Sequence, residues 1–260
     1  MPTLSRRAVL AGSAAIAATG VLAAPAAAHG TKKPTIVVVH GAFADASGWN
    51  GVLSRLIRAG YPVLAPANPL RGVASDAAYL ASILASLPGP KVLVGHSYGG
   101  MVITNAATGN PDVKALVYVA AFAPDAGDTV YGLQNKFPGT KLGEPQLEFR
   151  PYGASADGYV RREYFHDVFA GDLPRSTTDL MWAGQRPGDV TTLREASGPP
   201  AWATVPSYYL VARRDNLIPA AAQRFMARRA GARTVEVDAS HVAMISQPGA
   251  TTDLIKRAAR

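Results

Sequence analysis

The chain has 260 residues, 48% of them hydrophobic and 17% charged, enough apolar mass to bury a sizeable core without covalent staples. It contains no cysteine, which excludes disulfides, thiolate metal sites and a cysteine nucleophile. The formal net charge is +8, but the basic residues are scattered in pairs such as Arg161-Arg162, Arg213-Arg214 and Arg228-Arg229, and no basic run is interleaved with aromatics, so nucleic-acid binding has no support.

The first 28 residues stand apart. The stretch "LSRRAVLAGSAAIAATGVLAAPAAAHG" has two arginines, no acidic residue, an apolar run over 8–24 and small residues at Ala26-x-Ala28. That pattern predicts an export signal cleaved near Ala28 and a periplasmic or extracellular mature protein. Arg6-Arg7 after Ser5 fits the twin-arginine type, with an ordinary secretory leader as the alternative. The apolar run is shorter than the roughly 20 residues a membrane span needs, which argues against an anchor.

From residue 35 onward short β-branched runs alternate with helical patterns. "TIVVVH" (35–40), "PVLAPAN" (62–68), "KVLVGHS" (91–97), "KALVYVAA" (114–121), "PSYYLVARRD" (206–215) and "TVEVDAS" (234–240) read as buried strands. Between them, "SGWNGVLSRLIRAG", "DAAYLASILASL", "GGMVITNAAT" and "PAAAQRFMARRAG" carry apolar residues at helical spacing with Gly or Pro at their ends. This alternation predicts an α/β domain over 29–260 with a mostly parallel, doubly wound sheet and a ligand site beyond the carboxyl ends of its strands.

The alternation lapses over about 125–204, a stretch rich in Gly, Pro and aromatics and too long for a simple loop, which predicts an inserted cap. Within it "KLGEPQLEFRPYG" suggests a small hairpin, and "DGYVRREYFHDVFAG" and "TTDLMWAGQRP" suggest short helices. Each aromatic there is explained singly by the core of the cap. As a group they suggest an apolar pocket, with Tyr164, Phe165 and Trp182, together with Phe43, as the candidate substrate contacts.

In "KVLVGHSYGG" a strand runs into Gly95-x-Ser97-x-Gly99 and then a helix, the strand, tight turn and helix that a nucleophile elbow requires. Serine is a weak nucleophile unless a base takes its proton, so a histidine and an orienting acid are expected later in the chain. Of the five histidines, His241 alone follows the last predicted strand, where a loop returns to the carboxyl edge of the sheet. Asp215, at the end of the preceding strand, is favoured as the acid over Asp238, which lies three residues before His241. The backbone amides of Ala42, after His40-Gly41, and of Tyr98 are the expected oxyanion donors, and Phe43 is a weaker candidate from the same loop.

"HGAFADASGW", "GHSYGG", "RRDNLIP" and "SHVAMISQP", in that order, resemble the α/β-hydrolase superfamily and, within it, the branch of plant methylesterases and hydroxynitrile lyases. The resemblance implies the α/β-hydrolase fold, with Ser97 as nucleophile, His241 as base, Asp215 as acid and the Ala42 and Tyr98 amides as oxyanion hole. Lyase members of the branch carry threonine after the first-strand histidine and lysine after the catalytic one. This chain has Gly41 and Val242 there, which favours ester hydrolysis. The expectation is therefore a cofactor-free, metal-free serine esterase for a small ester or lactone with an apolar part. Other chemistry on the same three residues (C–C hydrolysis, perhydrolysis, lyase reactions) and a non-catalytic ligand-binding member of the fold are the alternatives.

Overall fold

A computed structural model describes residues 33–260, and the expected export signal at 1–28 lies outside the described residues. The chain opens with β1 (Thr35–Val39), α1 (Asn50–Arg58), β2 (Val63–Leu64), α2 (Val73–Ser86), β3 (Lys91–Ser97), α3 (Gly99–Ala106) and β4 (Val113–Ala121). It closes with β8 (Ser207–Ala212), α8 (Ala220–Arg229), β9 (Arg233–Val237), α9 (Ala243–Ser246) and α10 (Pro248–Ala258). Between these halves lie α4 (Val130–Gln134), β5 (Leu147–Tyr152), β6 (Ser155–Val160), α5 (Arg162–Phe169), α6 (Arg175–Ala183), β7 (Gly188–Asp189) and α7 (Thr191–Arg194).

The six strands of the main sheet run parallel in the order β2-β1-β3-β4-β8-β9. Helices cover both faces, α1 packing with α10 and α2 with α3. Burial on both faces explains the unbroken apolar runs of the central strands: all seven residues of β3 are buried, as are eight of the nine in β4.

The outer strands depart from the expectation of buried strands. β9 alternates between exposed and half-buried residues, with Glu236 facing out between Val235 and Val237, because an edge strand is covered on one face only. β2 shrinks to two residues, since Pro62 and Pro66 on either side lack the N–H that a longer ladder needs.

The segment between β4 and β8 forms its own three-stranded antiparallel sheet in the order β5-β6-β7. The expected hairpin is present, but its second arm is 155–160, closed at Gly153 with φ 51°. The helix expected over 157–171 consequently begins only at Arg162. Cross-strand pairing of Asp157, Gly158 and Tyr159 with β5, and of Asp157 and Gly158 with β7, outweighs the helical spacing there.

Candidate active site

Ser97 is the last residue of β3 and holds φ at 52°, a left-handed conformation costly for a side chain with a Cβ, on the order of 1–3 kcal/mol. The strain is held by close packing around the turn. A Cβ at Gly41 would lie 2.6 Å from Ser97 Cβ, and one at Gly99 would lie 2.4 Å from the Val39 carbonyl oxygen. Only glycine lets β1 and its following loop approach the turn so closely.

His241 sits four residues beyond β9 and is fully buried. Its Nδ1–H donates to Asp215 Oδ2 at 2.7 Å, which leaves Nε2 as the free, acceptor nitrogen. Nε2 is buried and has no partner among the described residues. Asp215, three residues past β8, is held from several sides: Oδ1 accepts from the amides of Leu217 (2.7 Å) and Ile218 (2.9 Å), and Oδ2 also accepts from Gln223 Nε2 (2.8 Å). Asp238, the competing acid, is more than half exposed and pairs with Arg214 at 3.0 Å, away from His241.

The loop bearing His241 is tied to the strand bearing Ser97. The Nε2–H of His96 donates to the His241 carbonyl at 3.0 Å, and the two rings lie 4.7 Å apart. Burial, with the His241 imidazole beside it, holds His96 well below the ordinary histidine value, so it stays neutral. No hydrogen bond joins Ser97 Oγ to His241 Nε2 among the described residues; in a substrate-free site such contacts are commonly long and tighten on binding.

Among the described residues the amides of Ala42 and Tyr98 make no hydrogen bond within the protein. The amide of Phe43 donates to the Arg186 carbonyl at 2.8 Å and is already spent, which removes it as a donor to a ligand. The other two described histidines, His40 and His166, are occupied elsewhere. The amide of Asn68 donates to His40 Nε2 at 3.0 Å, and His166 Nε2 lies 3.2 Å from the Leu173 carbonyl.

A cavity of about 460 Å³ has Phe43, Gly48, Met181, Val242 and Ile245 in its lining, and neither Ser97 nor His241. Of the four aromatics expected to contact substrate, Phe43 lines this cavity and three do not. Tyr164 is exposed on a separate groove with Lys141 and Asp167, because its position on α5 faces outward. Phe165 is buried behind Phe169, ring centroids 5.0 Å apart. Trp182 is engaged by the Arg162 guanidinium at 5.2 Å.

Three residues of the site escaped sequence reasoning. Phe169, one aromatic among many in the insert, has its ring 5.2 Å from His241 and 6.3 Å from Phe43. Gln223 is fully buried on α8; a glutamine on the apolar stripe of Ala222, Met226 and Ala227 was the available signal. Asp172, between α5 and α6, accepts from the Ser240 amide at 2.9 Å and from the Ser240 hydroxyl, clamping the insert to the residue next to His241.

A parallel sheet with a strained serine between strand and helix, and a buried His–Asp pair on loops at the same edge, define the hydrolase class of doubly wound folds. The model of the alpha/beta hydrolase family matches residues 36–254, and the chain belongs to that family. It is 27% identical over 253 residues to an alpha/beta hydrolase of Aspergillus novofumigatus, covering 87% of this chain and 97% of the relative. It is 25% identical over 248 residues to methylesterase 2 of Arabidopsis thaliana, covering 85% and 94%. Among solved structures, a pyrethroid hydrolase from Sphingobium faniae superposes with a TM-score of 0.70 at 26% identity, covering 87% and 97%. Polyneuridine aldehyde esterase superposes with a TM-score of 0.75 at 22% identity, covering 86% and 99%, a likeness of fold.

Proposed function

We propose that the protein is a serine carboxylic ester hydrolase working through an acyl-enzyme on Ser97. The observation that carries this reading is the 2.7 Å bond from His241 Nδ1 to Asp215, which leaves a buried, unpartnered Nε2 on the sheet edge where Ser97 holds its strained turn. Relatives named as methylesterases and a pyrethroid hydrolase support ester chemistry in particular.

In this mechanism Ser97 Oγ attacks the ester carbonyl while His241 Nε2 takes its proton. The carbonyl oxygen gains charge and accepts hydrogen bonds from the Ala42 and Tyr98 amides, with the N-terminus of α3 adding a favourable field. His241 then protonates the departing alcohol, and a water that it deprotonates releases the acid. Asp215 holds the imidazole in the tautomer that every step needs. Lactones, as cyclic esters, fall within the same chemistry. Phe43 is the proposed aromatic contact of the substrate.

The test is reaction with a fluorophosphonate, read as a mass adduct on intact protein, beside hydrolysis of a nitrophenyl acetate. Both are expected in the wild type and absent in Ser97→Ala of unchanged fold. A wild type that neither labels nor turns over any short ester overturns the reading.

The route to the exterior is a second proposal, carried by the charge and apolar pattern of residues 1–28. The exported chain is expected to begin near His29, and replacing Arg6-Arg7 by lysines is expected to block export. N-terminal sequencing and fractionation of the two forms check this.

A further inference from the structure

The loop after β1 holds its two peptide units in different ways. In the first, the Gly41 carbonyl oxygen lies 2.9 Å from His40 Nδ1, while the Ala42 amide has no partner among the described residues. In the second, the Phe43 amide donates to the Arg186 carbonyl at 2.8 Å, on a residue whose φ is 62°. A carbonyl oxygen only accepts, so His40 Nδ1 carries the proton of its bond to Gly41. His40 Nε2 is then the acceptor nitrogen, and it receives the Asn68 amide at 3.0 Å. Asn68 Nδ2 also donates to the His40 carbonyl at 2.9 Å. These bonds hold the buried His40 ring neutral and in one tautomer.

The Gly41–Ala42 peptide is trans, and in a planar trans unit the C=O and N–H point in opposite directions. Fixing the Gly41 oxygen against the His40 ring therefore turns the Ala42 N–H away from that ring. Gly41 itself lies against the nucleophile: a Cβ on it would stand 2.6 Å from Ser97 Cβ and 3.2 Å from Ser97 Oγ. Packing thus demands glycine there, and glycine alone leaves the peptide plane free to turn. A second constraint is needed to hold it.

We propose that neutral His40 is a positioning residue that aims the Ala42 N–H at the oxyanion, by fixing the Gly41–Ala42 plane through its Nδ1–H bond to the Gly41 carbonyl. The proposal rests on the serine hydrolase reading. His40 touches no substrate in this role and keeps its Nδ1 proton throughout the cycle. A second proton on Nε2 would meet the Asn68 N–H, donor against donor, so the arrangement requires the neutral ring. Burial holds the imidazole below the ordinary histidine value, against the bond to Gly41; Arg186 acts with burial, and Asp45 and Asp76 act against it. His96, also neutral, is the histidine whose charge the His40 ring further disfavours.

The first measurement is nitrogen-15 NMR of the full wild-type chain at neutral pH, which reads the tautomer directly. The expected spectrum shows His40 protonated at Nδ1 and bare at Nε2. The second is nitrophenyl acetate kinetics on two variants. His40→Leu removes the donor, and kcat is expected to fall about a hundredfold, as for loss of one oxyanion donor, with KM changed by less than about twofold. His40→Asn restores a donor where Nδ1 stood and is expected to return kcat to within about tenfold of wild type. A role in packing alone predicts the reverse order, since leucine suits a buried position better than asparagine. A charged ring, a proton on Nε2 alone, kcat of His40→Leu within about threefold of wild type, or an asparagine variant no faster than the leucine one overturns the positioning role. The spectrum is read on the wild type and decides even where a variant fails to fold. Each of these results leaves the hydrolase reading intact. A wild type that neither turns over short esters nor takes a phosphonate overturns both.

Discussion

Gln223 Nε2 donates to Asp215 Oδ2 at 2.8 Å, the same carboxylate oxygen that receives His241 Nδ1. The same amide group also donates to the Ile218 carbonyl, and its oxygen accepts from the Ala212 amide at 3.0 Å, so one buried side chain fixes the turn after β8 and the acid within it. Gln223→Leu keeps the volume but strips Asp215 of a donor and orphans the Ala212 N–H. A loss of about 1–3 kcal/mol in stability is expected. Because Gln223 does not line the cavity, kcat is expected to fall about tenfold with KM little changed. Urea unfolding and ester kinetics on the same preparation check both; a fall in stability with kcat unchanged would reduce Gln223 to packing.

The contact between Gly41 and Ser97 makes the first glycine after β1 a steric requirement. Gly41→Ala places a methyl 2.6 Å from Ser97 Cβ and 3.2 Å from Oγ, and neither neighbour can retreat, because both belong to tightly packed backbone turns. Displacement of the nucleophile by even about 1 Å is expected to lower kcat/KM about a hundredfold. Phosphonate labelling rates of the variant and wild type measure the effect at Ser97 directly, without dependence on the choice of ester.

The clamp from Asp172 to Ser240 gives a pH dependence with a defined sign. Burial works to raise the Asp172 carboxyl, but the Ser240 hydroxyl and amide outweigh it and hold the group below its ordinary value of 3.8. The native state therefore binds fewer protons here than the unfolded chain. The stabilisation is fully present above the unfolded value and is lost as pH falls through the lower native one. Asp172→Asn is expected to be less stable than wild type at neutral pH, the gap narrowing below about pH 4. Urea midpoints taken from pH 7 down to the acid limit of folding would show the convergence.

Asp76 behaves in the opposite sense. Burial raises its carboxyl above the ordinary value, against donors that include the Arg71 amide and the Tyr98 hydroxyl at 2.8 Å. Such a group binds more protons in the native state than unfolded, so stability declines as pH rises from the unfolded value towards the native one. Tyr98→Phe removes a donor to this carboxylate and is expected to cost about 2 kcal/mol at neutral pH, and less near pH 4 where the group is closer to neutral. The difference in denaturation midpoint between the two pH values is the measurement.

Much of the site is legible in the sequence itself. Gly95-x-Ser97-x-Gly99 between an apolar run and a helical pattern marks a local event, a strand turning sharply into a helix, and local events are written in contiguous residues. The strands β3, β4 and β8 are readable for a similar reason, since a strand covered on both faces must be apolar at every position. The positions of Asp215 and His241 follow from chain order, because loops after parallel strands emerge at one edge of the sheet.

What tertiary structure alone decided is everything that depends on which distant surfaces meet. Residues 155–160 became a strand because they pair with β5 across the turn at Gly153 and with Gly188 and Asp189 of β7 on the other side, and the second of these pairings lies about 30 residues away. Phe169 rather than Tyr164 reached His241, because the face of α5 that carries Phe165, Val168 and Phe169 is the buried one and Tyr164 lies off it. Gln223 and Asp172 likewise show their purpose only opposite Asp215 and Ser240, since a hydrogen bond needs its two partners in space and leaves no trace in their spacing along the chain.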